Sequence, residues 1–319
     1  MKPRAVALLI LAVVLVVTVL ACLGIGTSSI DLLAVFHPNR VVTGIRLPRV
    51  LLAAMAGAGL AAAGVAFQGI LRNPLADPYI VGVSGGAALG GVLALVLGVS
   101  APFALPIFAF SGAVASALLL FALARARGRS DAMTLLLVGV VFNAFAAAVV
   151  TFLKTVVSAT KAQEILFWLM GVIDVQPLPT LIVLAAYIAV GSAVLLAAGG
   201  ALNLLSTSDD EAAALGLPVE KARLIIFLAA ALLVGSVVAV AGMIGFVGLV
   251  VPHILRRLIG ADHRWLMPAA LLGGAIFLVA ADAVARLTFY AFGTEVPVGV
   301  VTAFTGGPFF LALLLYRDA

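Results

Sequence analysis

At 319 residues, 65% apolar and 10% charged, the chain falls far below the roughly 25% charge of a soluble globular domain and cannot hide its apolar surface in one core. Its net charge of +5 comes from small groups of Lys and Arg between apolar runs, a pattern that suits membrane orientation and excludes a continuous nucleic-acid-binding stripe. A single cysteine, Cys22, excludes an internal disulfide, and the scattered His37, His253 and His263 have no metal-ligand spacing.

The length allows about ten crossings at roughly 20 residues each. The first apolar run, residues 5–23 behind Lys2 and Arg4, is long enough to span. Val19-Leu20-Ala21-Cys22 faintly resembles a lipoprotein cleavage site, but more membrane segments follow, so an uncleaved first helix is the simpler reading. Further spans are predicted at about 50–70, 80–98, 103–124, 133–153, 180–199, 222–241, 243–258, 266–286 and 298–315. The boundary near 242 is the weakest, because only Gly242 and its neighbours mark it. Residues 1–319 therefore read as one all-α membrane domain.

An even number of crossings puts both termini on one side. The positive-inside rule selects the cytoplasm for them, with Arg125, Arg127 and Arg129 in one short loop carrying most weight. Only Arg40, Arg46, Arg49, Lys154, Lys161 and Arg286 are left outside by this choice.

In the second span, Ala53, Gly57, Ala61 and Gly64 recur at helical spacing and let a neighbouring backbone approach closely. The run Gly82-Val-Ser-Gly-Gly-Ala-Ala-Leu-Gly90 superficially resembles a phosphate-cradling loop but lacks the Gly-Lys-[Ser/Thr] ending. Neither Lys2, Lys154, Lys161 nor Lys221 follows a glycine, so any ATP must be handled by a partner. Intramembrane catalytic motifs are absent, and the chain reads as a transport subunit, not an enzyme, with no metal or cofactor of its own.

Ionisable groups deep in a span are costly and mark function. Asp282 is the one such group, and Arg286 four residues on is placed to pair with it across one helical turn, which argues against a proton relay. Gln68 and Asn143 are read as glue between helices, with contact to cargo as the alternative. The segment about 203–221 breaks the apolar pattern with Ser206, Thr207, Ser208, Asp209, Asp210 and Glu211, a helix start, followed by a stop at Gly216. A new helix can begin at Pro218. The product is a short helix, a turn and a second helix, either a rigid knob that takes force from a soluble motor or an ordinary amphipathic connection.

Several motifs in order resemble the FecCD-type permeases of ABC importers for iron-siderophores, haem and vitamin B12. They are Arg46-Leu-Pro-Arg49, Gln68-Gly-Ile-Leu-Arg-Asn-Pro-Leu-Ala-Asp-Pro78, Gly82-Val-Ser-Gly-Gly-Ala87, Trp168-Leu-Met-Gly171, Gly242-Met-Ile-Gly-Phe-Val-Gly-Leu-Val-Val-Pro-His-Ile-Leu-Arg256, Asp262-His-Arg264, Ala281-Asp-Ala-Val-Ala-Arg286 and Glu295-Val-Pro-Val-Gly-Val-Val-Thr302. The resemblance implies a type II permease fold of ten helices in the bacterial inner membrane. It also implies a homodimer with the path between subunits, two ATPase subunits that bind ATP and Mg, and a periplasmic substrate-binding protein.

By the same resemblance Arg46, Arg49 and Arg286 dock the binding protein, with membrane-interface anchoring as the other reading of Arg46 and Arg49. Asp209, Asp210, Glu211, Leu215, Gly216 and Leu217 form the ATPase socket. Ala132 and Met133 stand at the inner gate, and Asn143, Thr302 and Thr305 line the path. The cargo is an iron-siderophore or haem, with cobalamin the alternative and an ion-coupled secondary carrier the remote rival.

Overall fold

A computed structural model describes residues 3–26, 40–99, 103–125 and 132–315, and among them the chain is helical without a strand. Each predicted span coincides with a helix: α1 Pro3–Gly24, α2 Leu47–Ile70, α3 Val83–Val96, α4 Ala104–Arg125 and α5 Ala132–Val156. After α6 Ala159–Leu169 come α7 Leu178–Ala197, α8 Gly199–Leu205, α9 Asp209–Ala214, α10 Val219–Ala241, α11 Val247–Ile259, α12 His263–Phe292 and α13 Val298–Leu315. Among the described residues seven helices are long and apolar enough to cross a membrane, whereas α3 and α11 have 14 and 13 residues. A π-helical turn, Val42–Arg46, runs directly into α2.

The centre of the bundle is α2 and α10, the helices with most of their surface covered. Small side chains on α2 do what their spacing predicts: a Cβ on Gly57 would run into the carbonyl of Gly274 in α12, and one on Gly64 into that of Gly248 in α11. The backbones therefore touch where bulk would separate them. Phe67, Phe121 and Phe227 fill the space between α2, α4 and α10, with the Phe67 and Phe227 rings edge-on at 5.6 Å. The peripheral α1 leans mainly on α12.

Two features depart from the sequence reading. The eleven-residue α6, capped by Ser158, was not anticipated, since it is too short to span; its Ile165 packs against Val92 and Val150. The boundary at Gly242 is a five-residue non-helical stretch through Phe246, which leaves α11 with 13 residues, about 20 Å or two-thirds of the hydrocarbon thickness.

Candidate functional site

Three clusters of polar or irregular structure stand out in this apolar bundle. One lies at the end that carries α9, one at mid-bundle, and one at the opposite end where α2 begins and α12 finishes.

At the α9 end, Ser208 caps the short helix by accepting the N–H of Glu211 at 3.1 Å, and Asp209, Asp210 and Glu211 fill its first turn. Gly216 adopts φ +82°, and the bonds Gly216 N–H to Ala213 O and Leu217 N–H to Ala212 O close a Schellman motif. Pro218 is the N-cap of α10, one residue ahead of its sequence assignment, because the closing turn uses Leu217. Ala212 is buried and Leu217 packs against the core, but Leu215 at the tip is 70% exposed, and Asp210 and Glu211 face outward.

Asp209 differs from its acidic neighbours. Its carboxylate pairs with Arg72, the residue just beyond α2, and with Arg223 of α10 at 2.6 Å. Arg223 is fully buried, and Arg72 also donates to the carbonyl of Leu205 at 2.8 Å. Arg72 occupies the left-handed position that ends a helix, at φ 50°, where glycine is usual. Burial pushes the Asp209 carboxyl up, and the two guanidiniums more than offset this, holding it below the ordinary carboxylate range. Stability from this pair is thus present above the unfolded-state pKa and is lost as acid protonates the folded carboxylate. Alongside it, Asn203 donates to Asp262 at 2.8 Å and accepts the His263 N–H at 2.8 Å, fastening α8 to the start of α12.

At mid-bundle the non-helical segments before α3, after α6 and before α11 meet. Val172 N–H donates to Ala241 O at 2.9 Å, Gly299 N–H to Gly171 O at 3.2 Å, and Ile244 N–H to the Tyr79 hydroxyl at 2.6 Å. Asn143 donates to the carbonyls of Tyr79 and Ile80 at 2.6 and 3.0 Å, and Gln68 to that of Gly248 at 3.2 Å. Irregular backbone deep in a membrane protein survives only with such partners or beside a cavity. Both are present, since a cavity of about 560 Å³ opens there, lined by Tyr79, Met170, Met243, Gly299, Phe304 and Pro308 among others.

Of the residues assigned to the path, Asn143 is half-buried and serves as glue, and Thr302 is wholly buried with its hydroxyl on Gly299 O of its own helix. Thr305 is exposed, as is Met133, while Ala132 is half-buried at the start of α5. Of the cavity-lining residues, Met170 and Met243 stand in two of the quoted motifs without an assigned role, and Tyr79 and Phe304 were not singled out, since apolar and aromatic residues in an apolar chain carry little signal of their own.

At the opposite end the expected Asp282–Arg286 pair is present, with Arg286 Nε 3.1 Å from Asp282 Oδ2, off the hydrogen-bond line. Arg49 joins it, placing Nε 3.0 Å from Asp282 Oδ1 and a terminal nitrogen 2.7 Å from Glu295 Oε2. Arg46 and Arg286, read from sequence as outward-facing, are turned inward. Arg46 donates to Leu23 O at 3.0 Å, and Arg286 to Cys22 O at 3.0 Å and to Ile25 O. The carbonyls of Cys22 and Leu23 belong to the C-terminal turn of α1, and that of Ile25 lies just past it, where a helix lacks partners and favours cations. Replacing Arg286 with Ala should therefore destabilise the protein by about 3 kcal/mol, since it leaves a buried carboxylate short of a partner. Thermal unfolding in detergent checks this, and an unchanged midpoint would remove the clamp.

A model described as the FecCD transport family matches residues 13–316. The cobalamin import system permease BtuC of Halobacterium salinarum is 42% identical over 87% of this chain and 74% of its own length. The hemin transport system permease HmuU of Yersinia pestis is 40% identical over 96% of this chain and 94% of its own. A solved structure described as an inward-facing metal-chelate type ABC transporter superposes with a TM-score of 0.88 at 34% identity, covering 98% of this chain and 99% of that one.

Proposed function

The chain belongs to the FecCD transport family of ABC importer permeases, and from that premise we propose that it is the membrane-spanning subunit that passes a metal chelate inward across a bacterial inner membrane. Two copies enclose the path, two ATPase subunits bind and hydrolyse ATP with Mg, and a periplasmic binding protein delivers the cargo. An iron-siderophore or haem is the first choice of cargo; cobalamin is the second, supported by the identity to the Halobacterium salinarum cobalamin permease.

The observation that carries this reading is the α9 knob. An exposed leucine stands at the tip of a rigid turn whose base is tied by Asp209 to the ends of α2 and α10, the two central helices. A push on Leu215 from an ATPase would thus reach the core directly. The α9 end is then cytoplasmic and the Arg49 end periplasmic, as the positive-inside rule requires. The proposed cycle is alternating access: ATP closes the motor pair, the knobs move with it, and the mid-bundle cavity changes the side to which it opens. Reconstitution with the partner ATPase and binding protein tests this, with chelate-stimulated ATP hydrolysis and uptake as the expected result and uptake indifferent to ATP as the refuting one.

Two narrower predictions follow from where the arginines and threonines lie. Arg49, half-covered by carboxylates, should be the docking arginine whose loss costs affinity. Arg49→Ala is expected to weaken binding-protein association about tenfold at low salt, with the difference shrinking as salt rises. Titration of labelled binding protein onto the permease in nanodiscs would measure it, and equal affinity at every salt concentration would remove Arg49 from the interface. On α13, a cysteine at position 305 should react with a water-soluble thiol reagent while one at 302 stays protected; the native Cys22 is buried and contributes little background. Equal labelling of both would place the helix in a different rotation.

A further inference from the structure

Arg49 is held by two carboxylates that differ in their surroundings. Asp282 is 1% exposed and also faces Arg286, so it is a permanent part of the interior. Glu295 is 34% exposed and sits at the rim, in the short link between Gly293, the C-cap of α12, and the start of α13. Thr288 fastens that link by accepting the N–H of Val296 at 3.1 Å while its own proton goes to Ala285 O at 2.7 Å, so the Glu295 side chain is presented to Arg49 from a fixed base.

We propose that Glu295 is a built-in stand-in for a carboxylate of the docking protein. In the free permease it covers the outer edge of Arg49; on docking, an acidic side chain of the binding protein takes that edge and Glu295 is displaced. This rests on the reading that Arg49 docks a periplasmic protein, and it adds how the docking surface is kept occupied before the partner arrives.

Three observations support the exchange. Among the described residues Arg49 and Arg286 face the carboxylates of Asp282 and Glu295, so moving Glu295 away leaves Arg49 with Asp282 alone and its outer edge open to an incoming anion. On the Glu295 side the contact is open, that side chain being 34% exposed against 13% for Arg49, so this carboxylate can leave and an equivalent one replace it at small net cost. Asp282 stays in place through the exchange and keeps Arg49 aimed, which makes it a positioning residue. The displaced link leads straight into α13, whose Gly299 and Phe304 line the mid-bundle cavity, so arrival of the partner would be felt at the path.

The test is Glu295→Gln in the full complex of permease and ATPase in nanodiscs, titrated with the cognate binding protein over a range of salt. Loss of the stand-in should tighten docking about five- to tenfold at low salt and steepen its salt dependence. Glu295→Asp, which keeps the charge but shortens the reach, should give a smaller gain and covers the case in which the Gln variant fails to assemble. In an Arg49→Ala background the gain should vanish. Affinity that is unchanged or weaker in Glu295→Gln and Glu295→Asp, with Arg49→Ala still impaired, overturns the exchange and leaves docking at Arg49 intact. If Arg49→Ala itself docks normally, the docking reading and the exchange fall together.

Discussion

Leu215→Asp is expected to abolish chelate import while leaving the permease folded. Leu215 is 70% exposed, so folding stability should change by no more than about 0.5 kcal/mol. An apolar side chain at the tip of a rigid turn is nonetheless the type of anchor that dominates a protein interface. Removing it and adding a charge should cost about 2–4 kcal/mol of ATPase binding, roughly a 30- to 1,000-fold loss in affinity. Co-purification of the ATPase with the tagged permease reads the binding, and the thermal midpoint of the permease reads the fold. Normal ATPase recovery with normal transport would show that the motor engages elsewhere.

Asp209→Ala should have an effect of similar size through a different route. The carboxylate bridges Arg72 and the buried Arg223, and its loss leaves a buried guanidinium without its closest acid, since Glu220 stands at 3.9 Å. Truncation of one partner in such a pair costs about 3 kcal/mol. Because the pair also ties α9 to α2 and α10, the ATPase should still bind through Leu215 yet drive little transport, so that ATP is hydrolysed without import. Asp209→Glu should restore part of the coupling. If transported chelate per ATP is unchanged in Asp209→Ala, the pair is only a structural contact.

Acid should mimic this variant. The folded carboxyl of Asp209 titrates below its unfolded value, so coupling is intact at neutral pH and fails only when the pH falls through the folded pKa.

Much of the architecture was legible because the bilayer imposes a simple rule: an apolar run of sufficient length becomes a crossing helix. The α9 knob was legible too, since capping serine, first-turn acids and a glycine stop are local signals, and Ser208, Asp209 and Gly216 act as those signals imply. The i,i+4 pair of Asp282 and Arg286 is equally local. What escaped the sequence is long-range. Arg286 meets the end of α1 across 264 positions, and Asp209 meets Arg72 across 137, contacts that a tally of charges by loop does not reach.

The mid-bundle cavity was hidden for another reason. Met170 and Met243 stand in recognisable motifs, but nothing in the chain order says that they and Tyr79 share a surface until the three broken segments meet. The shortness of α11 follows from the same break at residues 242–246, where a continuous apolar pattern concealed a non-helical backbone.

Uptake into sealed proteoliposomes separates an ATP-driven permease from a self-powered carrier most directly. Purified alone, with a proton or sodium gradient imposed, the protein should accumulate no haem, ferric siderophore or cobalamin above its external concentration. Addition of the partner ATPase, Mg-ATP and the loaded binding protein should start uphill accumulation of the cognate chelate. Uphill accumulation by the permease alone, driven by an ion gradient and indifferent to ATP, would contradict a passage opened from below by a separate motor.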